Sequence, residues 1–221
     1  MTAPTTRATP KIALDQRAAS RHDDAEAAQR ASESVLEVSR GHGLGLFLAL
    51  GALSSSWACA RLGDALTGMT ELRQVLSGYA DQGNKLFEPL FQGRLAELEA
   101  EDPSDVVPLA RIDEALALAE QTGQRWTDAL LHRIRGDVLL KADPDNPGRA
   151  EEAYLTATAI AREQGARSFG LQAALKLAKL YQSTSRPVEA HDILMPALEG
   201  FTTTPEMPEV AEAEALLSQL A

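Results

Sequence analysis

Four histidines, His22, His42, His132 and His191, and one cysteine, Cys59, are the side chains best suited to metal or nucleophilic chemistry. Their spacing supports neither. No HExxH run and no second cysteine sets two ligands on one helical face, so no metal and no cofactor is expected. Asp143, Asp145 and Gly148 echo a calcium loop, yet Pro147 and Tyr154 stand where ligand oxygens are needed. A GxxxxGK[ST] phosphate loop is absent, Gly41, Gly43 and Gly45 lack the GxxG continuation of a dinucleotide site, and no serine sits in a nucleophile elbow. The tripeptide Arg135-Gly136-Asp137 falls within an expected helix. Glu97, Glu99, Glu101 and Asp102 read as a solvated helix end, and Cys59, in an apolar run, as a small core residue. Catalysis is therefore not expected of this chain.

Binding is the better prospect, and charge shows where. The 221 residues carry 32 acidic and 21 basic side chains, a formal net charge of −11, which opposes general nucleic-acid binding. Residues 125–187 reverse the sign locally, with ten basic against seven acidic groups, whereas 188–221 hold seven acidic and no basic ones. Arg133, Arg135, Lys176 and Lys179 carry two readings, contacts for an acidic protein partner in the groove or a solvated face with helix-surface ion pairs. Phe47, Trp57, Phe87, Phe91, Trp126, Phe169 and Tyr181 recur at helical spacing, which suits core packing. Trp57, Phe91 and Trp126 are the alternative, a small-ligand pocket.

The elements that must carry these residues are helices. Ala occurs 38 times and Leu 32 times, both strong helix formers. Residues 1–20 read as a disordered tail, and 21–221 as one helical-repeat domain. Helices are expected over 22–40, 46–62, 64–82, 85–101, 105–122, 126–141, 147–164, 168–183, 186–201 and 206–220. Asn146 before Pro147, and Ser185 before Arg186-Pro187, read as helix starts. Gly83, Gly123 and Gly165 suit helix ends and recur 40 and 42 residues apart. A second series, Gly51, Gly93, Gly136 and then Ala178, keeps a 42–43-residue period inside the alternate helices. Because a mid-helix glycine costs about 1 kcal/mol, close approach of a neighbouring helix is its expected reason.

These periods predict an all-α, right-handed α-solenoid of four antiparallel helix pairs, 44–83, 85–123, 126–165 and 168–201, tetratricopeptide-like with a 40–43-residue repeat. The helix over 206–220 reads as a C-terminal cap, with Val210, Ala213, Leu216, Leu217 and Leu220 on its inner side. The uncharged run Gly41–Ala60 yields only roughly 15 helical residues, about 22 Å, short of a ~30 Å hydrocarbon core, so no membrane span is expected. One cysteine and no secretory pattern fit a cytoplasmic protein. The uncovered first helices, 22–62, leave two covers open, the chain's own tail or another copy of the chain.

The stretches HGLGLFLALGALSSSWACARLGD, LRQVLSGYADQG, ALALAEQTGQRWTDALLHRIRGDVLL, AYLTATAIAREQGARSFGLQAALKLAKLYQSTSRPVEAHDIL and EAEALLSQL resemble the C-terminal helical-repeat region of large bacterial signalling proteins. Those proteins join a class III adenylate or guanylate cyclase domain, or a DNA-binding domain, to an ATPase module and then tetratricopeptide-like repeats. The resemblance runs from about 42 to 221 and is most specific in TGQRWTDALLHRIRGDVLL. It implies a scaffold that binds a protein partner or other domains of a signalling assembly. Two alternatives come with it: a small-molecule sensor of an ATPase-coupled regulator, and a piece of a nucleotide cyclase. Without a phosphate loop or room for a cyclase domain, the relatives' catalytic activities do not transfer.

Overall fold

A computed structural model describes residues 25–101, 107–202 and 207–220. The expected tail, residues 1–20, lies outside them. Ten α-helices account for nearly all of the described residues, with no strand among them. They are α1 (Ala25–His42), α2 (Gly45–Arg61), α3 (Ala65–Asp81), α4 (Glu88–Glu99), α5 (Val107–Thr122), α6 (Asp128–Ala142), α7 (Gly148–Glu163), α8 (Arg167–Ser183), α9 (Pro187–Leu198) and α10 (Pro208–Leu220). A single 3-10 turn, Arg125–Thr127, leads into α6. The helices pack as sequential antiparallel pairs, consistent with a helical-repeat array. No described helix is long and apolar enough to cross a membrane.

The turns explain the sharp helix ends. Gly83, Gly123 and Gly165 have φ of 75°, 71° and 64°, the left-handed conformation that a residue without Cβ adopts at little cost. After α3 the N–H of Gly83 reaches the Ala80 carbonyl and that of Asn84 the Tyr79 carbonyl, which closes the last turn. α7 ends the same way, through Gly165 and Ala166. Ser185 after α8 copies this geometry at φ 61°, with its N–H on Gln182 and that of Arg186 on Tyr181. The expected serine start is thus a helix end: Arg186 is the N-cap of α9 and Pro187 its first residue. Asn146 needs a similar correction, because Pro147 itself takes the N-cap place of α7 and no side chain caps that helix.

Contacts group the chain into two compact units, Met1–Leu98 and Glu99–Ala221. In the first, α2 packs against both α1 and α3. Helix α1 buries one stripe, Ala28, Ser32, Val35 and Ser39, and turns Glu26, Arg30, Glu33 and Glu37 outward. Gly51 lets α2 sit close to it, since a Cβ there would lie 3.0 Å from Leu36 Cγ. The tighter crossing is at Gly68 of α3, where a Cβ would come within 2.3 Å of the backbone nitrogen of Ala60. Gly68 lies outside both glycine series.

In the second unit each helix contacts its neighbour in sequence from α5 to α10, and α8 also contacts α6 and α10. This one-apart contact creates a layer α6–α8–α10. One apolar cluster runs through α6 to α10, including Leu139, Tyr154, Leu171, Leu177, Leu194, Val210 and Leu216. As expected of a cap, α10 buries Val210, Ala213 and Leu216, packs Leu217 and Leu220 against the cluster, and exposes Glu212, Glu214 and Gln219.

Candidate functional site

The four basic residues singled out by charge all belong to the α6–α8–α10 layer, but they do not share one environment. Arg133 is only 2% exposed, and its Nη1 lies 2.7 Å from Asp137 Oδ2. Helical spacing explains the pair, which joins residues four apart on α6. Lys176 reaches the other oxygen, Oδ1, at 3.4 Å from α8. The Tyr154 hydroxyl donates to the same Oδ1 at 2.7 Å from α7. Asp137 thereby ties three helices together.

That junction requires Gly136. A Cβ there would lie 2.4 Å from Tyr154 Cε1, so the bare backbone makes room for the ring whose hydroxyl meets Asp137. Burial and the adjacent carboxylate raise the Tyr154 phenol above its ordinary value, so it stays protonated as a donor. Close approach of a neighbouring helix is therefore the reason for Gly51 and Gly136, with different partners: the preceding helix α1 in one case and the following helix α7 in the other.

Lys179 lies one turn beyond Lys176 and pairs with Glu212 of α10. Gln172, also on α8, donates to Glu209 of α10 at 3.3 Å. Polar pairs thus link successive members of the layer, from α6 to α8 and from α8 to α10. Lys176 and Lys179 remain 43% and 42% exposed in their side chains. Arg135 points elsewhere, to Asp113 of α5. The structure therefore gathers Arg133 and Lys176 at Asp137, places Lys179 beside them, and leaves Arg135 apart. Arg133, as a buried group, offers no surface to a partner.

The aromatic candidates divide as well. Trp57 and Phe91 are buried in the first unit, where the Arg94 guanidinium stands 4.6 Å from the Trp57 ring centroid. Such a cation over an indole face is attractive. No hydrogen-bond acceptor reaches Trp57 Nε1 among the described residues. Trp126 belongs to the second unit, in the 3-10 turn, and is 36% exposed. Tyr79 and Tyr154, which the aromatic series omitted, are the two bulkiest fully buried side chains. The Tyr79 hydroxyl donates to the Leu86 carbonyl at 2.6 Å and its pKa is pushed up to about 12, by burial first and Glu88 second.

The acidic run is a correction. Glu97 and Glu99 are buried, not solvated, because each meets an arginine: Glu97 accepts from Arg94 at 3.2 Å, and Glu99 takes both Nε and Nη2 of Arg111, at 2.8 and 3.1 Å. Glu101 is exposed and Asp102 lies outside the described residues. Cys59 is partly buried, and burial raises its thiol above the usual range. Among the described residues no cluster of three or more His, Cys, Asp or Glu could hold a metal ion. Comparison with protein-family models, curated proteins and solved structures finds no match to this chain.

Proposed function

We propose that this chain is a non-catalytic helical-repeat scaffold whose basic residues on α6 and α8 dock an acidic segment of a protein partner or of another domain in a signalling assembly. The observation that carries the reading is the pair Lys176 and Lys179, one turn apart on α8 and each more than two-fifths exposed. Both are engaged by carboxylates of this chain, but the Lys179–Glu212 pair, exposed on both sides, is worth only about 0–1 kcal/mol, so an incoming carboxylate can exchange for it. The setting in a cyclase- or ATPase-coupled protein of the bacterial cytoplasm rests on the sequence resemblance alone. Reversing both charges, Lys176→Glu with Lys179→Glu, should remove co-purifying partners and flatten the salt dependence of their binding. Unchanged partners with unchanged salt dependence would refute the docking surface.

One observation favours a second reading, a small-molecule sensor. The indole nitrogen of Trp57 is buried without an acceptor among the described residues, so a ligand bearing an acceptor group would satisfy it. Ligand-dependent quenching of tryptophan fluorescence, lost in Trp57→Phe and kept in Trp126→Phe, would support it. A flat titration counts against it.

A further inference from the structure

Among the described residues of the first unit, the two most exposed large apolar side chains meet at one corner. Leu62 follows the last residue of α2, Leu66 is the second residue of α3, and they are 51% and 75% exposed. The backbone between them is fixed. Gly63 turns the chain at φ 122°, the Leu62 N–H reaches the Ala58 carbonyl, and Asp64 accepts the Thr67 N–H. Gly68 lies against Ala60, and Leu72, Leu76 and Tyr79 continue that buried stripe of α3. At 3.6 residues per turn Leu66 stands about 200° round the helix from Gly68, so α3 cannot bury both.

The chain carries a cover that starts from this place. Because α2 packs antiparallel to α1 and to α3, the start of α1 lies at the same end as the α2–α3 corner. Residues 1–24, outside the described ones, join α1 at that end. After Met1, their large apolar side chains are Ile12 and Leu14, flanked by Lys11 and Arg17. Residues 15–24 separate Leu14 from α1. Such a stretch spans up to about 33–36 Å, whereas two helix spacings, from α1 to α3, amount to about 16–20 Å. Charge agrees with the reach. Residues 1–22 hold four Lys or Arg side chains against Asp15, residues 25–98 hold six against eight carboxylates, and Glu26 and Asp64 are exposed at the corner's own end.

We propose that residues 11–17 fold back over the α2–α3 corner as a strap, with Ile12 and Leu14 on Leu62 and Leu66 and with Lys11 and Arg17 facing Glu26 and Asp64. The strap takes from water an apolar corner that is otherwise open to a second copy or another protein. Of the two covers open to the first helices, this end of the first unit takes the chain's own tail. The outward face of α1, with Glu26, Arg30, Glu33 and Glu37, needs none.

Limited trypsin digestion of the full chain tests this, because Lys11 and Arg17 bracket the apolar pair. Cleavage after Arg17 should be several-fold slower in the native chain than in Leu62→Ser with Leu66→Ser, while cleavage after Arg7 keeps one rate in both. The two leucines are exposed, so that variant retains the buried stripe of α3. In Ile12→Ser with Leu14→Ser the methyl NMR signals of Leu62 and Leu66 should shift, and those of Leu72 should stay in place. Equal cleavage after Arg17 in native and variant chains, or leucine signals that ignore the substitutions at 12 and 14, overturns the strap. So does protection that fades on dilution together with the sedimenting mass, for then a second copy is the cover.

Discussion

Ser185 holds a left-handed backbone, φ 61°, at the position that Gly165 occupies one helix earlier. For a residue with a Cβ that conformation costs about 1–2 kcal/mol, against roughly 0.5–1 kcal/mol of extra chain entropy lost by glycine. Ser185→Gly should therefore stabilise the second unit by about 0.5–1 kcal/mol, read as a higher urea midpoint at unchanged slope. Gly136→Ala should act in the opposite sense. The new Cβ, 2.4 Å from Tyr154 Cε1, has to displace a ring in a tight junction and with it the bond to Asp137. Overpacking of this kind costs about 1–3 kcal/mol before the hydrogen bond is counted. Gly78→Ala is the matching control. It lies inside α3 with nothing within 4 Å of the new atom, so it should gain up to about 1 kcal/mol in the same assay.

At the scale of the element, helix identity was legible because its signals are local. Ala and Leu content, the glycines Gly83, Gly123 and Gly165 that close three of the runs, and the spacing of apolar residues each act within one or two turns, and all ten expected helices are present. Signals that depend on a distant partner were not legible. Glu99 looks like part of an exposed acidic end until Arg111 of α5 is brought to it by folding, while Glu97 meets Arg94 on its own helix. The basic character of 125–187 was correct as a sum, yet it says nothing of which cations are buried, as Arg133 is beside Asp137 of its own helix, or engaged by a neighbouring helix, as Arg135 is by Asp113 of α5. Ser185 was misread because serine suits both ends of a turn and only backbone geometry separates them. The start of α3 gives an element-level test. Asp64 accepts the Thr67 N–H at 3.2 Å, a side-chain N-cap, whereas α2, α6, α7, α8 and α9 have none. Asp64→Ala should cost about 1 kcal/mol, with amide exchange accelerated chiefly in the first turn of α3. Uniform acceleration along α3 would show that packing on α2, not the cap, holds that turn.

In a helical-repeat array each helix is covered by its neighbours, and a capping helix buries one face and turns a polar one to water. Helix α10 meets that condition through composition: Val210, Ala213 and Leu216 face inward, and Ala211, Glu212, Glu214, Ser218 and Gln219 face water. Fully burying Val210 and Leu216 is worth about 1.5–3 kcal/mol each. Their joint contribution is a large share of the roughly 5–15 kcal/mol that holds a typical domain together. The loss would not stop at α10, because the apolar cluster it closes is continuous with α8 and α9 through Leu171, Leu177 and Leu194. A chain ending at Thr202 should therefore lose amide protection throughout α8 and α9 and should self-associate, as the α8 surface that α10 covers becomes an open apolar face. Full-length protein carrying Glu212→Gln distinguishes packing from charge at the same end. It removes the partner of Lys179 without touching the buried stripe, so it should stay monodisperse and within about 0.5 kcal/mol of the native midpoint. If the shortened chain kept native protection in α8 while this substitution destabilised it, the end of the array would be held by its ion pairs and not by its core.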